Sequence, residues 1–191
     1  MFELKELQNT NLEISEVNWF PTTVYYTRLD DAFIDKIEKK VMNDKGKHYE
    51  KIETFSKWLS ETQYEEIKEL SKHICSVILP QIGKRQNWKY NNWTLIESWL
   101  NHYEKDDWGC MHQHLDADYA AILIIKPGEG NLIFSRSEFV RKETKEYESI
   151  HNEIINEAKG TLILFPPYLY HGITKCNKER MTWAFNLKNS K

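Results

Sequence analysis

"GCMHQHLDADYAAILII" (109–125) joins an alternating run of His and Asp to an apolar segment. His112, His114, Asp116 and Asp118 occupy alternate positions and run into the unbroken apolar segment 119–125. A period of two is the signature of a strand, and a short apolar run reads as a strand buried on both faces. Residues two apart in a strand face the same way at a separation of about 6.6 Å. Imidazole and carboxylate side chains can close that gap onto one ion through bonds of about 2 Å. Residues four apart lie about 13 Å from each other, which is too far. His112 can therefore share an ion with His114, and His114 with Asp116. His112 and Asp116 cannot share one unless the chain bends sharply.

A third ligand has to come from elsewhere. "LFPPYLYHGI" (164–173) carries His171 at the far end of a short strand that follows a proline turn. Arg180 stands nine residues later. Alternation from Arg180 sets Arg180, Thr182, Ala184 and Asn186 on one face, with Met181, Trp183, Phe185 and Leu187 on the other. An apolar face backed by Arg, Thr and Asn suggests that the polar side lines a cavity. An arginine there suits a planar carboxylate through paired hydrogen bonds. Upstream, "NNWTLIESWLNHY" (91–103) alternates as a strand, with Trp93, Leu95, Glu97, Trp99, Asn101 and Tyr103 expected on one face. His102 falls on the opposite face. His48, His73 and His151 lie in helical or polar segments, where solvation or local hydrogen bonding accounts for them.

The remaining strand candidates are 22–26, 119–125, 131–135, 161–165, 169–174 and 180–187, with Gly- and Pro-bearing turns between the later ones. Two helices precede them. The first places Phe33, Ile34, Ile37, Val41 and Met42 at helical spacing behind Asp30 or Asp31 as N-cap. The second has a Thr62–Glu65 capping box, an apolar face of Tyr64, Ile67, Leu70, Ile74, Val77 and Ile78, and a stop at Pro80 and Gly83. Residues 44–60 read as polar and irregular, and 138–158 as a long polar insert. The order of elements predicts an α+β fold, with a β-sandwich or barrel as main body. One domain, 1–191, is the simplest organisation: a helical N-terminal support over 1–90 and a β core over 91–188.

Composition narrows the function classes. The 191 residues are 40% apolar and 29% charged, as expected of a globular protein with a core of its own. A formal net charge of −3 offers no general basic field to nucleic acid. "KRQNWKY" (84–90) interleaves bases with aromatics, and a solvated strand entry explains it as well as nucleic-acid contact does. Three cysteines argue against a disulfide framework and for a reducing compartment. The opening "MFELKELQNTNLEI" has no apolar run of signal-peptide length, and no stretch approaches the roughly 20 apolar residues of a membrane span. The expectation is a soluble cytoplasmic protein.

Taken together, the motifs resemble the 2-oxoglutarate-dependent iron(II) oxygenases, and more closely a branch found in bacteria and tailed phages. The resemblance rests on "WLN" (99–101), "HQH" (112–114), "AAILII" (120–125), "GNLIF" (130–134), "GTLILFP" (160–166), His171, Arg180 and "FN" (185–186), in that order. It covers residues 93–187, about half of the chain. Two departures bear on the substrate: Ala120–Ala121 replaces the branch's usual Ser-Gly, and the insert 138–158 lies where members differ widely.

The resemblance implies a double-stranded β-helix (jelly-roll) core behind N-terminal packing helices. It implies Fe(II) held by His112, His114 and His171; the spelling His114-x-Asp116 gives a two-His-one-carboxylate set as the rival. It further implies 2-oxoglutarate paired by Arg180 with help from Thr182, and with Tyr103 and Asn101 as hydrogen-bond partners. Oxygen and an unidentified substrate would complete the reaction, yielding succinate and CO2. Trp99, Trp108 and Phe134 are candidate walls. Two other readings stay open: a cupin-like metalloenzyme that does not use 2-oxoglutarate, and a non-catalytic jelly-roll binding module.

Overall fold

The computed structural model describes residues 15–19, 22–44, 50–52, 55–59, 64–135, 152–154 and 157–190. Helix α1 (Asp31–Asp44) starts where the Asp30 carboxylate accepts the backbone N–H groups of Ala32 at 2.9 Å and Phe33 at 3.2 Å. Those are two of the donors that a helix start leaves without partners. Phe33, Ile34, Ile37 and Val41 are buried as their spacing predicts. Met42 is not: at 40% exposure it lies outside the buried stripe.

Helix α2 (Glu65–His73) begins at Tyr64, whose side chain makes no capping bond; Thr62 lies outside the described residues. The helix does not stop at Pro80. It passes through a π-helical turn (Ile74–Ile78) into α3 (Leu79–Arg85). The Leu79 N–H reaches the carbonyl of Ile74, five residues back. Proline normally breaks a helix by its missing N–H and by crowding the carbonyl four residues earlier. The wider turn absorbs that misfit, so Pro80 takes the first positions of a new segment.

Among the described residues the strands form two antiparallel sheets. The larger runs β1 (Ser15–Trp19), β2 (Thr22–Arg28), β10 (Thr161–Phe165), β7 (Tyr119–Lys126), β12 (Arg180–Ser190), β5 (Asn92–Tyr103), β4 (Phe55–Leu59), β3 (Glu50–Ile52). The smaller runs β6 (Gly109–His112), β11 (Tyr170–Ile173), β8 (Leu132–Ser135), β9 (Asn152–Ile154). Four of these correct the sequence expectation, β1 among them, which was no candidate and pairs with β2. β3 and β4 occupy the stretch expected to be irregular, and β9 lies inside the polar insert, paired with β8. A three-residue edge strand is too short to leave a periodic trace.

The large sheet has two different faces. On one, Ala121, Leu123, Ile125, Leu162, Leu164, Met181, Trp183, Phe185 and Leu187 pack with the helices in a single apolar core. On the other, Ala120, Ile122, Ile124, Ile163 and Phe165 meet Leu132, Phe134, Leu169 and Ile173 of the small-sheet side. Strict alternation along β7, β10 and β12 produces this division.

Strand β5 breaks the alternation once. Glu97 pairs with Asn186 and Leu95 with Leu187, so Ile96 has no partner on β12 and bulges out, 43% exposed. An extra residue shifts the facing of everything beyond it. Trp93 and Leu95 consequently join the helix-side core, while Glu97, Trp99, Asn101 and Tyr103 line the opposite side. The six residues expected on one face are thus split two and four.

Candidate metal centre

His112 ends β6, His171 lies on β11, and the two are register partners across the small sheet. Phe134 of β8 flanks His171 on its other side. Gly172 makes this approach possible: a Cβ there would stand 2.8 Å from Met111 Sδ and 2.9 Å from the Gly109 carbonyl oxygen. His114 follows β6 in an irregular stretch, and its backbone N–H is held by the Pro167 carbonyl at 2.8 Å. The proline turn before His171 thus also positions His114.

The three imidazoles converge. One ring nitrogen from each lies within 4.8 Å of the other two. His114 Nε2 and His171 Nε2 are 3.2 Å apart. Two nitrogens bound to one ion at right angles, with bonds of about 2.1 Å, would be separated by about 3 Å. Nδ1 of His112 meets the Cys110 carbonyl at 2.9 Å, and Nδ1 of His171 meets the Leu169 carbonyl at 2.9 Å. A carbonyl can only accept, so these bonds put the proton on Nδ1 and turn the Nε2 lone pairs inward. Burial, with His112 and His114 adding to it, holds the His171 imidazole well below its ordinary pKa range. Neutral imidazole is the form that ligates a metal. The donor set therefore fits a divalent transition ion. Asp116 lies exposed in the turn after His114 and is outside this cluster.

The histidines face a cavity of about 290 Å³ between the sheets. Asn101, Tyr103 and Thr182 line it, as do Trp99 and Phe165. Trp99 Nε1 donates to Asn101 Oδ1 at 2.9 Å, and its ring centre is 5.7 Å from that of His114. Burial pushes the Tyr103 phenol above its ordinary pKa despite nearby Arg180. Trp108 and Phe134 are buried but do not border the cavity; Phe134 packs edge-on against Phe165 instead.

Arg180 is fully buried and already engaged. One guanidinium nitrogen donates to the carbonyls of Pro127 and Gly130, each at 2.7 Å, and another pairs with the Glu157 carboxylate. Glu157 also accepts the Leu132 N–H, and burial raises its carboxyl pKa against the pull of Arg180. Gly128, at φ +69°, has room only for hydrogen: a Cβ would lie 2.5 Å from Arg180 Cβ. Nothing in the sequence marks Glu157 as the partner, because the contact spans 23 residues and starts inside a polar insert.

Other sequence features resolve differently. His102 is buried and bonds Glu179 at 2.9 Å, away from the cluster. In the segment 84–90, Trp88 packs against Trp93 and Tyr119, so its ring is a core contact and not a free stacking surface.

No protein-family model matches the chain, and no curated protein matches it by sequence. Solved structures do match. A Pseudomonas putida prolyl-4-hydroxylase superposes with a TM-score of 0.62 at 11% identity, over 98% of this chain and 97% of that one. HygX from Streptomyces hygroscopicus, with nickel and 2-oxoglutarate bound, gives 0.64 at 11% identity over 87% and 83%. The viral collagen prolyl hydroxylase of Paramecium Bursaria Chlorella virus-1, a 2-oxoglutarate complex, gives 0.59 at 12% over 93% and 96%. At such identities the likeness is one of fold: the chain folds like 2-oxoglutarate–iron(II) oxygenases of known structure.

Proposed function

We propose that this protein is an iron(II)- and 2-oxoglutarate-dependent oxygenase, nearest the bacterial and tailed-phage His-x-His branch. The observation that carries this reading is the three-imidazole cluster in the wall of a cavity between two antiparallel sheets. The sheet order supports it: β5-β12-β7-β10 faces β6-β11-β8-β9, with the chain crossing between them at every step except β8 to β9, as in a double-stranded β-helix. On this reading residues 1–191 are one domain, in which 1–90 support a core spanning 91–188. The cysteines at 75, 110 and 176 form no disulfide, which suits a reducing, cytoplasmic setting. Among the described residues no helix is long and apolar enough to cross a membrane.

His112, His114 and His171 hold the iron. Tyr103, Asn101 and Thr182 hydrogen-bond the cosubstrate, and Arg180, which lies one rung of the β5–β12 ladder beyond Thr182 and outside the cavity lining, would take its far carboxylate only on release from Glu157. Trp99 and Phe165 keep water from the site. The bound metal supplies oxygen activation: 2-oxoglutarate and O2 become succinate and CO2, and one oxygen atom enters a substrate C–H bond. The protein's own work is binding, orientation and exclusion of solvent.

Anaerobic calorimetry on iron(II)-loaded protein should show saturable 2-oxoglutarate binding, and succinate should form on admission of oxygen. Absence of binding overturns the proposal. Arg180→Lys keeps the charge beside Glu157 but loses the forked geometry, and should weaken 2-oxoglutarate about ten- to a hundredfold. One observation favours a second reading, a cupin-like metalloenzyme without 2-oxoglutarate: Arg180 already has a carboxylate partner inside the protein. That reading predicts metal binding with no 2-oxoglutarate affinity to lose.

A further inference from the structure

We propose that Glu97 and Asn186 form a substrate subsite that selects a cationic, N–H-donating group, such as an alkylammonium or guanidinium. The cavity's role as a reaction chamber rests on the oxygenase reading; the selectivity of this rung does not. β5 and β12 form the cavity floor as a ladder, with rungs Tyr103–Arg180, Asn101–Thr182, Trp99–Ala184 and Glu97–Asn186. The last rung is about 14 Å along the strand from Thr182, at about 3.4 Å per residue. Trp99, between them, is the residue packed against His114. The histidines therefore stand near the middle of the ladder. The residues assigned to the cosubstrate lie on one side of them, and Glu97 with Asn186 on the other.

The chemistry of that far rung is one-sided. Asn186 Nδ2 donates to Glu97 Oε1 at 2.7 Å. A carboxylate can only accept, so this bond fixes which end of the amide is which. The amide's remaining atom, Oδ1, is buried and has no hydrogen-bond partner among the described residues, on a side chain only 6% exposed. Buried polar atoms are almost always paired, and an exception calls for a missing partner. Among the described residues lining the cavity, Glu97 is the sole acidic one, and none is a lysine or arginine. The rung thus offers an anion and a buried acceptor without a partner, while one of the amide's two N–H groups is given to Glu97. A group with several N–H donors and a positive charge satisfies both; an anion or a pure acceptor satisfies neither. The Ile96 bulge adjoins this rung and restarts the alternation immediately beyond it.

The test uses three probes of equal chain length: pentylammonium, 1-pentanol and pentanoate. Each is titrated by calorimetry into the full-length protein, with and without nickel(II) and 2-oxoglutarate. Pentylammonium should bind wild type at least about tenfold more tightly than 1-pentanol, the usual gain from a charge-assisted hydrogen bond, and pentanoate most weakly. Glu97→Gln still accepts from Asn186 and should erase that preference without affecting 1-pentanol. Equal affinity for amine and alcohol in wild type overturns the proposal without any variant. So does an undiminished preference in Glu97→Gln, or no pentylammonium binding up to ~10 mM. If amine selectivity is found while 2-oxoglutarate fails to bind, the oxygenase reading falls and the subsite stands. The converse result removes the subsite alone.

Discussion

The two faces of the large sheet are built from the same strands and do opposite work. Toward the helices, β12 presents Met181, Trp183, Phe185 and Leu187, all fully buried in a continuous apolar core. Toward the small sheet it presents Arg180, Thr182, Ala184 and Asn186, with a cavity over much of that face. One face is filled and the other is left partly empty and polar. The difference shows that the helix side can carry stability while the small-sheet side carries chemistry, at a separation of one residue along the chain.

That division can be broken from either side. Trp183→Ala should cost about 3–5 kcal/mol of unfolding free energy, measured by urea denaturation, with metal affinity kept. Loss of metal binding in a still-folded Trp183→Ala protein would mean that the faces are coupled. His171→Ala should do the reverse, lowering divalent metal affinity by about a hundredfold or more, since even partners outside the ligand set are worth ten- to a hundredfold. Asp116→Ala should leave that affinity unchanged. Tight metal binding in His171→Ala, or its loss in Asp116→Ala, would transfer the site to the rival ligand set.

A pH series sharpens the same contrast. His171 resists protonation in the folded protein, while in the unfolded chain it titrates near its ordinary value of 6.5. The unfolded state then binds more protons, so metal-free protein should keep its full stability above about pH 6.5 and lose part of it as pH falls towards the lowered folded value. His171→Asn should lack this component of the loss. An identical pH dependence in both proteins would place the destabilisation elsewhere. The smallest effect belongs to Met42→Ala, which should change stability by no more than about 0.5 kcal/mol because the side chain is exposed. A cost near that of a core residue would restore Met42 to the apolar stripe.

Periodic features were legible in the sequence because they repeat. The strands at 161–165 and 119–125 show as unbroken apolar runs, and the two faces of β12 and the buried stripe of α1 follow from spacing. His112, His114 and His171 lie together, the set that the family resemblance implied where strand spacing alone left Asp116 as a rival, and His114 lies beyond the end of β6, held by Pro167 and not by strand alternation. What was hidden depends on single, non-repeating events. Pro80 reads as a stop unless the π-turn before it is known. The split of β5 needs the Ile96 bulge, which has no marker of its own. The pairing of Arg180 with Glu157 is tertiary, and Glu157 is indistinguishable from the other acidic residues of its polar segment.

The bulge at Ile96 also bears on how this chain tolerates changes in length. Removing one residue from a central strand ordinarily sends every side chain beyond it to the wrong face. Ile96 is the exception on β5, because it has no partner on β12 and the pairing is already in phase on both sides of it. Its deletion would leave Trp93 and Leu95 in the helix-side core and Glu97 in the cavity wall. The strand therefore carries one residue of slack beside the cavity, where a deletion keeps the facing of both flanking segments.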